Sequence, residues 1–76
     1  MSGYDAAMAV LNSIELEGVS LESWYAAAHE ALREAAKTLR LIRRMDVLGA
    51  SAHVVDGEVT EYRTQVRLHF EIETSR

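Results

Sequence analysis

The end of the chain constrains it most. From Glu58 it reads EVTEYRTQVRLHFEIE: Tyr62, Thr64, Val66, Leu68, Phe70 and Ile72 fall on one face. Arg63, Gln65, Arg67, His69, Glu71 and Glu73 fall on the other. Period-two alternation over this length describes a long strand with one buried and one solvated face. Such a strand needs paired neighbours and cover for its apolar side. Asp56-Gly57 supplies the first neighbour, because both residues tolerate the positive φ of a two-residue hairpin turn. A regular turn sets Val55 opposite Glu58, Ala50 opposite Arg63, Asp46 opposite Arg67 and Arg44 opposite His69. An opposite-charge pair such as Asp46 and Arg67 contributes about 0.2–1 kcal/mol. The incoming strand, MDVLGASAHVV, is out of phase with this register. Leu48 and Val54 fall on the polar face, Ser51 and His53 on the apolar one. Either a bulge near Gly49 shifts the phase or both faces are covered.

Upstream, VLNSIELEG ends in alternation, with Ile14 and Leu16 opposed to Glu15 and Glu17, and stops at Gly18. Ser20 stands where a helix N-cap belongs, and Glu22 follows in the first turn. Leu21, Trp24, Ala28, Ala31, Ala35, Leu39 and Ile42 then recur at three- and four-residue steps. They form an apolar stripe of about six turns. Acids come early and bases late, so Arg40 and Arg43 read as last-turn cations worth about 0.3–1 kcal/mol each. Arg44 stands at the junction with the next strand. The first nine residues carry no pattern, which predicts a flexible extension over 1–9 and one domain over 10–76.

The order is β-α-β-β, an α+β fold. Only the sheet order 1-3-2 makes every neighbour antiparallel, with the last strand central and one long helix on its apolar face. One helix cannot cover both faces of the sheet, so a second subunit is expected. Size points the same way. The chain has 76 residues and no cysteine, so it has no disulfide to support a small core. The net charge of −4 argues against nucleic acid or an anionic membrane as partner. No apolar run approaches the roughly 18 residues of a membrane span, and the N-terminus lacks signal-peptide features, so a cytoplasmic location is expected.

No catalytic constellation is present: no nucleophile elbow, no His-Glu-x-x-His, no phosphate-binding glycine loop. The chain therefore reads as a non-enzyme. His29, His53 and His69 are scattered; only His69, near Arg44 and Arg63, suits a small anion bound inside an assembly.

With these elements placed, GVSLESWYAAAHEAL, REAAKTLRLIR and DGEVTEYRTQVRLHFEIE resemble the dodecins, small β-α-β-β proteins that assemble twelve subunits into a hollow sphere. The resemblance spans residues 10–73 and implies a homo-oligomeric small-ligand binding or storage protein. Flavin-binding dodecins place a tryptophan just after the helix, stacked on the isoalloxazine ring at a two-fold interface, and a glutamine that bonds the ring. The matching positions are Arg44 and Arg63. An arginine can stack on an aromatic plane, yet both the ring platform and the amide are lost. The resemblance thus implies a degraded flavin site, with flavin (riboflavin or FMN) storage as the alternative. Trp24 belongs to the helix-start motif and is not the flavin tryptophan. Ser23-Trp24, Ile42-Arg43 and Tyr62-Arg63 resemble the calcium dodecins, which also lack the flavin tryptophan. Calcium needs six to eight oxygens; the candidates are Glu15, Glu17, Glu71 and Glu73, in no EF-hand-like spacing.

Overall fold

The computed structural model of the chain describes residues 9–72. The extension expected over residues 1–9 therefore lies, Ala9 apart, outside the described residues. Four elements follow in order: β1 (Leu11–Ser20), α1 (Trp24–Ala35), β2 (Ile42–Val55) and β3 (Glu58–Glu71). The sheet order is β1-β3-β2, antiparallel throughout, as the alternation and turn require.

Asp56 (φ 52°) and Gly57 (φ 77°) both adopt the positive φ expected of the turn. The register opens as predicted, Val55 against Glu58, then shifts between His53 and Val54, so that Ala50 faces Thr64 and Ser51 faces Arg63. This corrects the expected pairing of Ala50 with Arg63. A second shift between Val47 and Gly49 restores the regular count, giving Val47–Val66, Asp46–Arg67 and Arg44–His69. Thr60 is the extra residue on β3 and Leu48 the extra residue on β2, and these two irregularities cancel; a third, at Arg43, sets Ile42 opposite Phe70. The phase conflict in MDVLGASAHVV is thus resolved by a bulge beside Gly49.

The helix is shorter than its stripe: twelve residues, not six turns. Ser23, not Ser20, is its N-cap, with Oγ accepting from the Ala26 amide at 2.9 Å. Ser20 instead holds the approach to the helix, its Oγ accepting from the Glu22 amide at 2.9 Å, which leaves Glu22 outside the first turn. At the other end Lys37 and Thr38 donate three residues back, to Glu34 and Ala35, and Leu41 turns the chain at φ 60°. Arg43 accordingly lies in β2 and Arg40 in the connection; the basic residue of the last turn is Arg33. The stripe ran on because Leu39 and Ile42 do pack on the core, from a connection and a strand start rather than from a helix.

That core is Ala28, Ala31 and Ala35 of α1 against Val66 and Leu68 of β3, flanked by Ile14, Leu16, Leu32 and Met45. Alanines on the buried helix face let its backbone approach β1. At Gly18 a Cβ would stand 1.8 Å from the Ala27 carbonyl oxygen. Thr64, buried beneath the helix, donates its Oγ1 to the Trp24 carbonyl at 2.8 Å. Trp24 donates Nε1 to the Ser51 carbonyl at 2.8 Å and meets Tyr62 edge-on, centroids 5.0 Å apart. It ties the helix start to β2 and β3, away from position 44.

Candidate functional site on the solvent face of the sheet

Odd-numbered residues of β3 point away from the helix and, with their neighbours on β1 and β2, build a charged surface. Along it, Arg67 Nη2 meets Glu15 Oε2 at 2.5 Å and Arg63 Nη1 meets Glu17 Oε2 at 2.9 Å. Gln65 Nε2 donates to Glu17 Oε1 at 3.1 Å. Arg63 also holds Glu61 Oε2, at 2.7 Å from Nε and 2.5 Å from Nη2. Hydrogen bonds from Arg63 and then Gln65 keep the Glu17 carboxyl below its ordinary range, and the same carboxylates raise Arg63.

Arg44 lies at the far end of this surface. Its Nε is 3.3 Å from Asp46 Oδ1, and its Nη2 is 3.3 Å from His69 Nε2. The same imidazole nitrogen is 2.8 Å from Asp46 Oδ2. Nε2 can donate to the carboxylate or accept from the guanidinium, but no single tautomer does both. The His69 hydrogen bond, followed by the charge of Arg44, holds Asp46 below its ordinary range against the opposing effect of burial. Asp46 and Arg67 are paired in register, as expected, but each takes a different salt partner: Asp46 turns to Arg44 and His69, Arg67 to Glu15.

Arg44 and Arg63 do not meet in one chain. Arg44 is opposite His69, six residues along β3 from Arg63, which at about 3.4 Å per residue separates them by roughly 20 Å. A compact ligand touching both positions must be shared between two copies. Beside Arg44 opens an apolar hollow of about 460 Å³, lined in part by Leu32, Leu39, Ile42 and Met45.

Within one chain the described residues do not fit calcium as a resident ion. Among the described residues no group of three or more His, Asp or Glu could hold a metal. Glu15, Glu17 and Glu71 are each committed to an arginine, Glu71 to Arg43 at 2.9 Å; Glu73 lies outside the described residues. A flavin finds no aromatic platform at position 44, and Trp24 is spent on Ser51 and Tyr62. Sequence reasoning missed three members of this surface: Glu61 and Gln65, which share the face of Arg63 through their two-residue spacing, and Asp46 as partner of His69.

Comparison with known proteins agrees with the architecture. The dodecin family model matches residues 10–73. An arginine-to-alanine variant of the Thermus thermophilus dodecin superposes with a TM-score of 0.83 at 32% identity, covering 87% of this chain and 98% of that one. The dodecin of Streptomyces coelicolor gives 0.85 at 25% identity, over 91% and 99% of the two chains. A calcium-chelating antigen of Mycobacterium tuberculosis, calcium dodecin, gives 0.74 at 29% identity, over 88% and 96%. None of the curated proteins compared with the chain matches it. On its sequence over residues 10–73 and on its fold, the chain belongs to the dodecin family.

Proposed function

We propose that this chain is a non-enzymatic subunit of a dodecameric, cytoplasmic small-ligand binding and storage protein whose flavin site has been converted. One domain over residues 10–76 makes the subunit. Arg44 and Arg63 are the altered site positions, supplied to each ligand by different copies, and neither nucleic acid nor membrane is a partner. One observation carries the reading. The two positions that match the flavin tryptophan and glutamine are both arginines, each already engaged by acidic side chains of its own sheet. A ring entering there would displace ion pairs without gaining an aromatic stacking surface. Aromatic contacts of that kind are worth about 0.5–1.5 kcal/mol beyond area burial, so restoring them should be measurable.

The test is riboflavin titration followed by fluorescence, with native mass spectrometry of the same samples. The wild type should assemble as twelve subunits and leave riboflavin fluorescence unchanged. Arg44→Trp combined with Arg63→Gln should quench it, with affinity raised about tenfold or more. Stoichiometric quenching by the wild type would favour plain flavin storage; a monomeric or dimeric mass would remove the shared site altogether.

A further inference from the structure

We infer that Arg63 is a built-in counter-cation: its guanidinium fills the space between Glu17 and Glu61 that a divalent cation would otherwise take, and closes this end of the sheet to calcium. The inference goes beyond the proposed function, since it holds within one protomer whatever the oligomeric state.

Glu17 comes from β1 and Glu61 from β3, and both reach the same guanidinium. Gln65, opposite Glu17 in register, completes the cluster by bonding the second Glu17 oxygen. Two carboxylates converging from different strands repel each other unless a cation stands between them. A planar guanidinium suits this role because its donors point along fixed directions toward separate acceptors. It also never loses its proton in the physiological range, so no pH change vacates the position.

Without Arg63 the same surroundings would offer oxygen ligands. Two carboxylates bring up to four, and the Gln65 amide turned over brings a fifth. Water would complete the six to eight that calcium takes. Glu15 provides an internal contrast. Its cation, Arg67, holds that one carboxylate at 2.5 Å. Removing Arg67 would therefore free a single acid and create no comparable site.

The experiment is thermal unfolding of wild type, Arg63→Gln, Arg63→Lys and Arg67→Gln in calcium chloride up to about 10 mM, a range that covers weak extracellular-type sites. Magnesium chloride and sodium chloride of equal ionic strength serve as controls. The midpoints of wild type, Arg63→Lys and Arg67→Gln should not move beyond the sodium control. Arg63→Gln should gain about 4 °C or more with calcium and less with magnesium. A calcium-dependent rise in the wild type overturns the inference, as does a folded Arg63→Gln that does not respond. If Arg63→Gln is unfolded without calcium, recovery of its far-UV circular dichroism on adding calcium supports the inference, and failure to recover overturns it. Subunit mass, read on the same samples, reports separately on the assembly.

Discussion

The fold favours the ionised forms of Glu17 and Asp46, Glu17 through Arg63 and Gln65, Asp46 through His69 and then Arg44. A carboxyl whose folded pKa is depressed binds protons less readily folded than unfolded. Its stabilising contribution is complete above the unfolded value and disappears as pH falls through the folded one. The ordinary values are 4.5 for Glu17 and 3.8 for Asp46. The urea midpoint should therefore hold steady from neutral pH down to about 5 and decline below 4.5. Glu17→Gln should lower the neutral midpoint and shallow the acid decline, and added salt should shrink the difference because the pair is exposed. An acid limb unchanged in Glu17→Gln would remove Glu17 from the account. At this scale the sequence was legible in part. Arg44 could be set against His69, though only because two register shifts cancel between the turn and that pair, whereas Arg63 was set against Ala50 and stands against Ser51. Choice of salt partner could not be read, since long side chains on a sheet reach diagonal neighbours as readily as opposite ones.

Between elements, the decisive contact is α1 on β1. The alternation IELEG located a strand ending near Gly18, but composition gave no hint that the glycine lies under the Ala27 carbonyl. A side chain there would meet backbone, which yields only if the whole helix lifts. Gly18→Ala should cost about 1–3 kcal/mol, the range for overpacking, despite the general gain in chain entropy from replacing a glycine. Chemical denaturation would show it, and a change under about 0.5 kcal/mol would mean the helix does not sit this close. The same contact explains why the helix was read too long. Spacing of apolar residues reports which side chains reach the core, not which backbone carries them. Leu39 and Ile42 reach it after the helix has ended. The bulge beside Gly49 was foreseeable because two apolar residues fell on the wrong face; the compensating shift at Thr60 has a fainter trace, a single apolar residue, Val59, out of phase with the series that starts at Tyr62.

For the molecule as a whole, length sets the problem. A twelve-residue helix spans about 18 Å, whereas the fourteen-residue β3 spans about 47 Å. The helix therefore covers less than half of the sheet. Among the described residues six hydrophobic side chains are buried, four of them alanine, which is a small core for a chain with no disulfide. Beyond Ser20 and Tyr62, where β1 ends, the β2–β3 hairpin runs on alone. It carries the cross-strand pair Val54 and Val59, 56% and 46% exposed, with Val55 beside them. Val47, opposite the fully buried Val66, is itself 61% exposed, because the helix does not reach that edge. Apolar surface so distributed stabilises nothing within the protomer and is what contacts between copies would bury. Val54→Glu should therefore leave secondary structure intact by circular dichroism at the lowest temperatures while shifting native mass toward small species. An unpaired carboxylate buried at such a contact costs several kcal/mol, while the same change in a solvated arm costs little. Glu58→Gln, beside the turn and already polar, should leave the assembly mass unchanged. Retention of the full assembly by Val54→Glu would place the hairpin arm in solvent, and contacts between copies would then have to be sought at other exposed apolar side chains, beginning with Leu21 and Tyr25, the two most exposed among the described residues, at 78% and 75%.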